Sequence, residues 1–213
     1  MGPLTWLIDH QATFWRATGE HLTLSLTALA VVIAAGLPLA VALVSVPRLA
    51  ALVIGLANVL RTIPSLALLV VMLPVLGTGF LPSAVALTLY GLPAVLINTV
   101  TGLREVEPDV VDAARGQGLS EGQIMARIRL PLAAPVIFAG IRTAAVQIVS
   151  AATLAAFIGG GGLGELITAG MGTLDVPQLV TGGLAVAGLA IATELGFGAL
   201  ERRTTRSLRA EAA

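Results

Sequence analysis

Gly159, Gly161 and Gly164 satisfy G-x-G-x-x-G, the spacing with which a glycine-rich turn brings its backbone against a dinucleotide pyrophosphate. That chemistry needs a strand before the turn and a helix after it in a βαβ unit. Here the turn follows a long apolar run, and glycines that allow backbone bending and close helix packing explain the spacing better. The chain contains no lysine, so the phosphate loop G-x-x-x-x-G-K-[ST] is absent, and any ATP that drives this protein is hydrolysed by another chain. There is no cysteine, and the two histidines, His10 and His21, both precede the first long apolar run. Neither a thiolate nor a histidine-activated nucleophile can be assembled within the apolar runs from these residues, and Ser65 and Ser150, with no visible base, read as helix-packing or backbone-bonding hydroxyls.

The elements that carry these residues are membrane helices. Of 213 residues, 56% are hydrophobic and only 11% charged, and mean hydropathy is +0.95, whereas soluble domains carry about 25% charged residues. Crossing hydrocarbon takes about 20 mostly apolar helical residues, because lipid satisfies no backbone polar group. The expected architecture is an all-α membrane protein with five spans, near 22–46, 63–80, 82–103, 132–158 and 179–200. Residues 1–21 form an outer interfacial segment with Trp6, Phe14 and Trp15, residues 22–203 the membrane domain, and 204–213 a tail. The opening residues lack the basic start of a signal peptide, so the first span is expected to be retained. Leu49 to Leu60 reads as a short interfacial helix after Pro47, and Gly77-Thr78-Gly79 with Pro82 as a tight turn.

Charge sets the expected orientation. Arg48, Arg104, Arg115, Arg127, Arg129, Arg202, Arg203, Arg206 and Arg209 fall on one side of a five-span arrangement, with only Arg16 on the other. Short cytoplasmic loops collect positive charge, so the N-terminus is expected outside and the C-terminus inside. Arg61, Arg142 and Glu194 lie near span ends, where ionisable groups are costly enough to suggest either a pathway role or a structural partner. Pro38, Pro64, Pro74 and Pro93 sit within spans and permit kinks.

The longest inward loop is 104–131, and its stretch 112-DAARGQGLSEGQIMARIRLP-131 is polar and basic between two apolar runs. It reads as two short helices. Pro108 suits a first helical position, Asp109 and Asp112 complement the helix dipole, and Gly116 and Gly118 break the first helix. Ser120 and Gln123 have capping-box spacing, and the second helix is expected to stop as Pro131 opens the fourth span. Ala113-Ala114 gives the first helix a face without bulk. On physical grounds a docking surface and an ordinary solvated loop stand level.

Asp112-Ala113-Ala114, Gly118 after three residues, Ile128 after nine more, then Leu130-Pro131 resembles the EAA loop of ABC importer permeases, with aspartate in place of the usual glutamate. The segments 61-RTIPSLALLVVMLPVLG-77, 96-LINTVTGL-103, 131-PLAAPVIFAGIRTAAV-146 and 152-ATLAAFIGGGGLG-164 extend the likeness over nearly all of the chain after residue 20. Together they look like the permeases of glycine betaine, choline and carnitine importers.

The resemblance implies a MetI-like ABC importer permease fold in the inner membrane of a prokaryote. It implies that the loop is a coupling helix on a cytoplasmic ATPase, with Asp112, Ala113, Ala114 and Gly118 making the contact. Ile128, Leu130 and Pro131 would pass motion into the fourth span. Arg61, Pro64, Tyr90, Asn98, Gly159, Gly161, Gly162 and Gly164 are the candidates for pathway or gating roles. The expected partners are two ATPase subunits that use ATP and magnesium, a second copy or a related permease, an extracytoplasmic binding protein and membrane lipid. No nucleic acid is expected, and no cofactor bound by this chain. With one tyrosine, two tryptophans and five phenylalanines, the chain has little material for an aromatic cage, so selectivity is expected to lie mainly in the binding protein. The alternatives are a permease for methionine or another small amino acid, an ion-coupled secondary transporter, and a passive membrane scaffold.

Overall fold

The computed structural model describes residues 2–211, with side chains described as far as Arg202. The side chains of Arg203, Arg206 and Arg209, and the end of the expected tail, lie outside the described residues. Helices account for nearly all of the described chain: α1 (Pro3–Asp9), α2 (Gln11–Val44), α3 (Pro47–Thr62), α4 (Ser65–Leu76), α5 (Phe80–Arg104), α6 (Pro108–Gly116), α7 (Glu121–Ile124), α8 (Leu130–Ala151), α9 (Leu163–Thr173) and α10 (Val176–Glu211). A π-helical turn, Met125–Arg129, joins α7 to α8, and a 3-10 segment, Ala152–Ile158, extends α8.

Four stretches are long and apolar enough to cross a membrane: Gln11–Val44, Phe80–Arg104, Glu121–Ile158 and Val176–Arg202. A fifth apolar path comes from α3 and α4, which meet at a bend of 99°. Pro64 makes that bend, since the residue before a proline is driven out of the helical region, and Ile63 is extended at ψ 125. The expected second span thus takes the form of the twelve-residue α4. At about 1.5 Å per residue, α4 reaches about 18 Å, little more than half of the hydrocarbon thickness.

α5 is the central helix, packed between α2 and α8, while α10 leans on α8 and α9. The core is built from small residues that let backbones approach. Gly140 of α8 sits where a β-carbon would come within 2.9 Å of the Ala94 carbonyl oxygen of α5. Around these contacts Leu24, Leu69, Leu87, Val95, Leu103 and Ile148 are fully enclosed.

The first long helix starts earlier than the expected span: after the short α1, α2 runs unbroken from Gln11, because residues 11–21 carry no helix breaker other than the tolerated Gly19. Trp6 is buried, stacked on the His10 ring at 4.6 Å and packed with Ala17, Leu163 and Leu166, whereas Trp15 is exposed. His21 is buried within α2 and its Nε2–H donates to the Val149 carbonyl at 2.9 Å, tying α2 to α8.

Two sets of contacts define the ends of the bundle. At one end the Gly79 amide donates to the Ile158 carbonyl at 2.7 Å, and the Gly162 amide to Glu20 Oε2 at 3.1 Å. At the other, Val44, Pro47, Leu103, Arg104, Asp112, Arg115 and Arg129 surround one cavity. The loop arginines therefore gather at the second end and Arg16 at the first. Arg142 of α8 lies 3.6 Å from Glu194 and 3.2 Å from Glu201 of α10, so the structural alternative for both Arg142 and Glu194 is the one realised.

Candidate functional site

α6 and α7 form a hairpin at the arginine-rich end. α6 starts with Pro108 at its first position, where a missing amide hydrogen costs nothing, and Asp109 follows in the first turn. Gly116 is its last helical residue and Gln117 its C-cap, so the helix ends where the two glycines were expected to end it. The stop is Gly118, at φ +84, a conformation that suits glycine. Its amide donates to the Arg115 carbonyl at 2.9 Å and the Leu119 amide to that of Ala114 at 3.2 Å, the two bonds of a Schellman closure.

Ser120 then opens α7 with a reciprocal capping box. The Ser120 amide donates to Gln123 Oε1 at 2.8 Å and the Gln123 amide to Ser120 Oγ at 3.4 Å. Arg115 spans the two helices, its Nε donating to Glu121 Oε1 at 2.6 Å and its Nη1 to Asp112 Oδ1 at 2.7 Å. These pairs are exposed and hold geometry more than they add stability. Stability comes from a small apolar cluster of Val111, Ala114 and Ile124, flanked by Val106, Leu119 and Ile128.

The expected contact residues are divided by this arrangement. Asp112, Ala113 and Gly118 are exposed, and Ala114 is buried inside the hairpin, where its small side chain lets Ile124 approach. Gly116, read from the sequence only as a breaker, joins Asp109 and Ala113 on one exposed face at helical spacing. Arg115 and Glu121, which fix the hairpin angle, were not singled out in the sequence; an arginine six residues before a glutamate across a glycine turn was the available signal.

The second hairpin helix does not stop at Pro131. α7 continues through the π turn into α8, so that Glu121–Ile158 is one helical rod. A proline has no amide hydrogen and its ring crowds the carbonyl four residues back, here that of Arg127. The wider turn, closed by the Leu130 amide on the Met125 carbonyl, relieves that crowding without ending the helix. Ile128 faces the hairpin cluster and Leu130 faces the main core.

The two loop glycines have opposite requirements, which gives a direct check. Gly118→Ala is expected to destabilise the hairpin by about 1 kcal/mol through its left-handed backbone, whereas Gly116→Ala, in open space on a helix, is expected to stabilise it by about 0.5 kcal/mol. Hydrogen exchange at the α6 and α7 amides would report both signs.

The chain matches the family described as binding-protein-dependent transport system inner membrane component over residues 14–206. The chain belongs to this family. Its members are inner-membrane permease subunits of ABC transporters and are not themselves enzymes. The permease is 41% identical over 189 residues to the carnitine transport permease protein OpuCB of Listeria monocytogenes, covering 88% of this chain and 86% of the relative. It is 38% identical over 202 residues to the glycine betaine/carnitine/choline transport system permease protein OpuCB of Bacillus subtilis, covering 95% and 93%. Its fold is that of a chain in the inward-facing MetNI methionine ABC transporter, with TM-score 0.81 and 22% identity over 96% of this chain and 99% of that one.

The remaining candidates occupy different depths of the permease. Arg61 is exposed in the last turn of α3 and Pro64 lies at the α3–α4 bend. Asn98 donates to the Ala94 carbonyl at 2.8 Å and presses against Gly140, a helix-packing position. Tyr90 lines a cavity between α4, α5 and α8. Gly159, Gly161 and Gly162, at φ +75, +77 and +84, form the turn between the 3-10 segment and α9, against Glu20, His21 and Gly79. Gly164 sits on the Thr153 carbonyl. The glycines that mimic a dinucleotide fingerprint follow a helix, with no strand among the described residues, and serve close backbone packing.

Proposed function

We propose that this permease carries a small quaternary-ammonium osmoprotectant, of the glycine betaine, choline or carnitine class, inward across the membrane at the expense of ATP hydrolysed by a separate subunit. The observation that carries the reading is the hairpin, whose exposed Asp109, Ala113 and Gly116 face stands at the end of a helical rod that continues through the membrane as α8. A groove on an ATPase can approach the α6 backbone closely there, and displacement of the rod moves α8 against the central α5.

The arginine-rich end is cytoplasmic in this reading, with the N-terminus outside. Two copies, or this chain and a related permease, pair around the path, with two magnesium- and ATP-using subunits below and a binding protein above. Likeness to the carnitine and glycine betaine permeases, over nearly the whole of both chains, supports the solute class. Methionine is disfavoured, since likeness to its transporter is one of fold at 22% identity.

The test is uptake of labelled glycine betaine, choline and methionine into vesicles holding the complete transporter. ATP-dependent uptake of the first two and not of methionine is expected; methionine uptake alone would overturn the solute assignment.

A further inference from the structure

Between α4, α5 and α8 lies a cavity of about 320 Å³ lined by Ser65, Tyr90, Val146, Gln147, Ser150, Ala151 and Leu154. Its depth follows from helix geometry. Leu76, Phe80 and Ile158 mark one end of the bundle, where the Gly79 amide and the Ile158 carbonyl join. Tyr90 is ten residues along α5 from Phe80, and Ser65 is the first residue of α4. With Gln147 and Ser150 near the end of α8, before the 3-10 segment, all four polar residues lie about 15 to 20 Å from that end. In a hydrocarbon layer about 30 Å thick that is near the middle.

Polar side chains at such depth bond to the backbone, bond to each other or face water. Thr88, Thr143 and Thr193 take the first course, each donating to the carbonyl four residues back. Among the described residues, Ser65, Tyr90, Gln147 and Ser150 make no side-chain hydrogen bond, and none is fully buried. Lipid would leave four polar groups unsatisfied. A wet path satisfies them. The cavity also carries no ionised side chain, and it holds the only tyrosine of the chain.

We propose that this cavity is a mid-membrane station for the solute, with the Tyr90 ring against the quaternary ammonium and Gln147, Ser65 and Ser150 hydrogen-bonding its carboxylate or hydroxyl oxygens. The station rests on the osmoprotectant reading above and adds to it a site within the permease. Neutral groups and one aromatic face bind a compact zwitterion weakly, which is what passage requires, since a site that held the solute tightly would not release it. A carboxylate in place of the neutral amide would favour a pure cation over a zwitterion by attracting the ammonium and repelling the carboxylate.

The experiment uses the complete transporter in vesicles, with a binding protein that loads both choline and glycine betaine, and reads the ratio of their ATP-driven uptake. Both solutes pass through the same molecules, so the ratio does not depend on how much protein folds. Gln147→Glu is expected to raise the choline to betaine ratio about tenfold, while Tyr90→Leu lowers uptake of both about tenfold and Tyr90→Phe keeps most of it. A ratio in Gln147→Glu within about twofold of wild type overturns the station while leaving the osmoprotectant reading intact. Absence of ATP-driven uptake of either solute by the wild type overturns both.

Discussion

Ala113→Arg is expected to detach the ATPase subunit from the permease while leaving the permease folded. Ala113 is exposed on α6, and arginine is a good helix former, so the change in fold stability should stay within about 0.5 kcal/mol. At the centre of a docked face the same side chain must displace the opposing surface. A loss of about 3 kcal/mol, or about a hundredfold in affinity, is the scale set by residues at the heart of protein interfaces. Co-purification of the ATPase with wild-type and variant permease measures the loss, and the melting midpoint of the permease alone measures the stability. Retained co-purification would place the docking face elsewhere. Gly118 is the less informative position, because its backbone at φ +84 makes any substitution there disturb the turn as well as the surface.

The second large effect lies at the far end of the molecule. Gly164→Ala places a β-carbon on the Thr153 carbonyl oxygen, with the Thr153 carbonyl carbon at 2.8 Å and the Ala156 β-carbon at 3.0 Å. Backbone of the 3-10 segment cannot move aside as a flexible side chain would, so a destabilisation of about 3 kcal/mol or more is expected. For a chain of this size that corresponds to a melting midpoint lowered by about 10 °C. Gly183→Ala is the control, since a β-carbon there meets nothing within 4 Å. Equal midpoints for the two variants would contradict the packing role given to the 159–164 segment.

What the sequence made legible divides along physical lines. The apolar runs and the arginine asymmetry were readable because each depends on local composition, and the caps of the hairpin because each depends on two or three nearby residues. Ser120 and Gln123 close the box that their spacing announces. The breaks and continuations were harder. Pro131 carries the local signature of a helix boundary, but a π turn absorbs it, and that outcome depends on the packing of Ile128 and Leu130 against two separate clusters. Pro64 carries a similar signature and does break its helix. Ala113 and Ala114 are identical in the sequence and opposite in the structure, one exposed and one buried, because only the α6–α7 contact decides which face turns inward. His21 was placed ahead of the membrane by hydropathy, yet its bond to Val149 belongs to a helix already inside the bundle. Tyr90 was legible as a pathway candidate, but its grouping with Ser65, Gln147 and Ser150 was not, since the four polar residues come from three helices separated by up to 85 positions.

Coupling between the hairpin and the path is the central claim, and uptake of labelled glycine betaine by the complete transporter in vesicles tests it most directly. Wild type and Ala113→Arg are compared with and without ATP on the ATPase side. Uptake that requires ATP and disappears in the variant is the predicted result. Uptake that proceeds equally without ATP, or equally in the variant, would contradict it and bring forward an ion-coupled carrier that works with no ATPase.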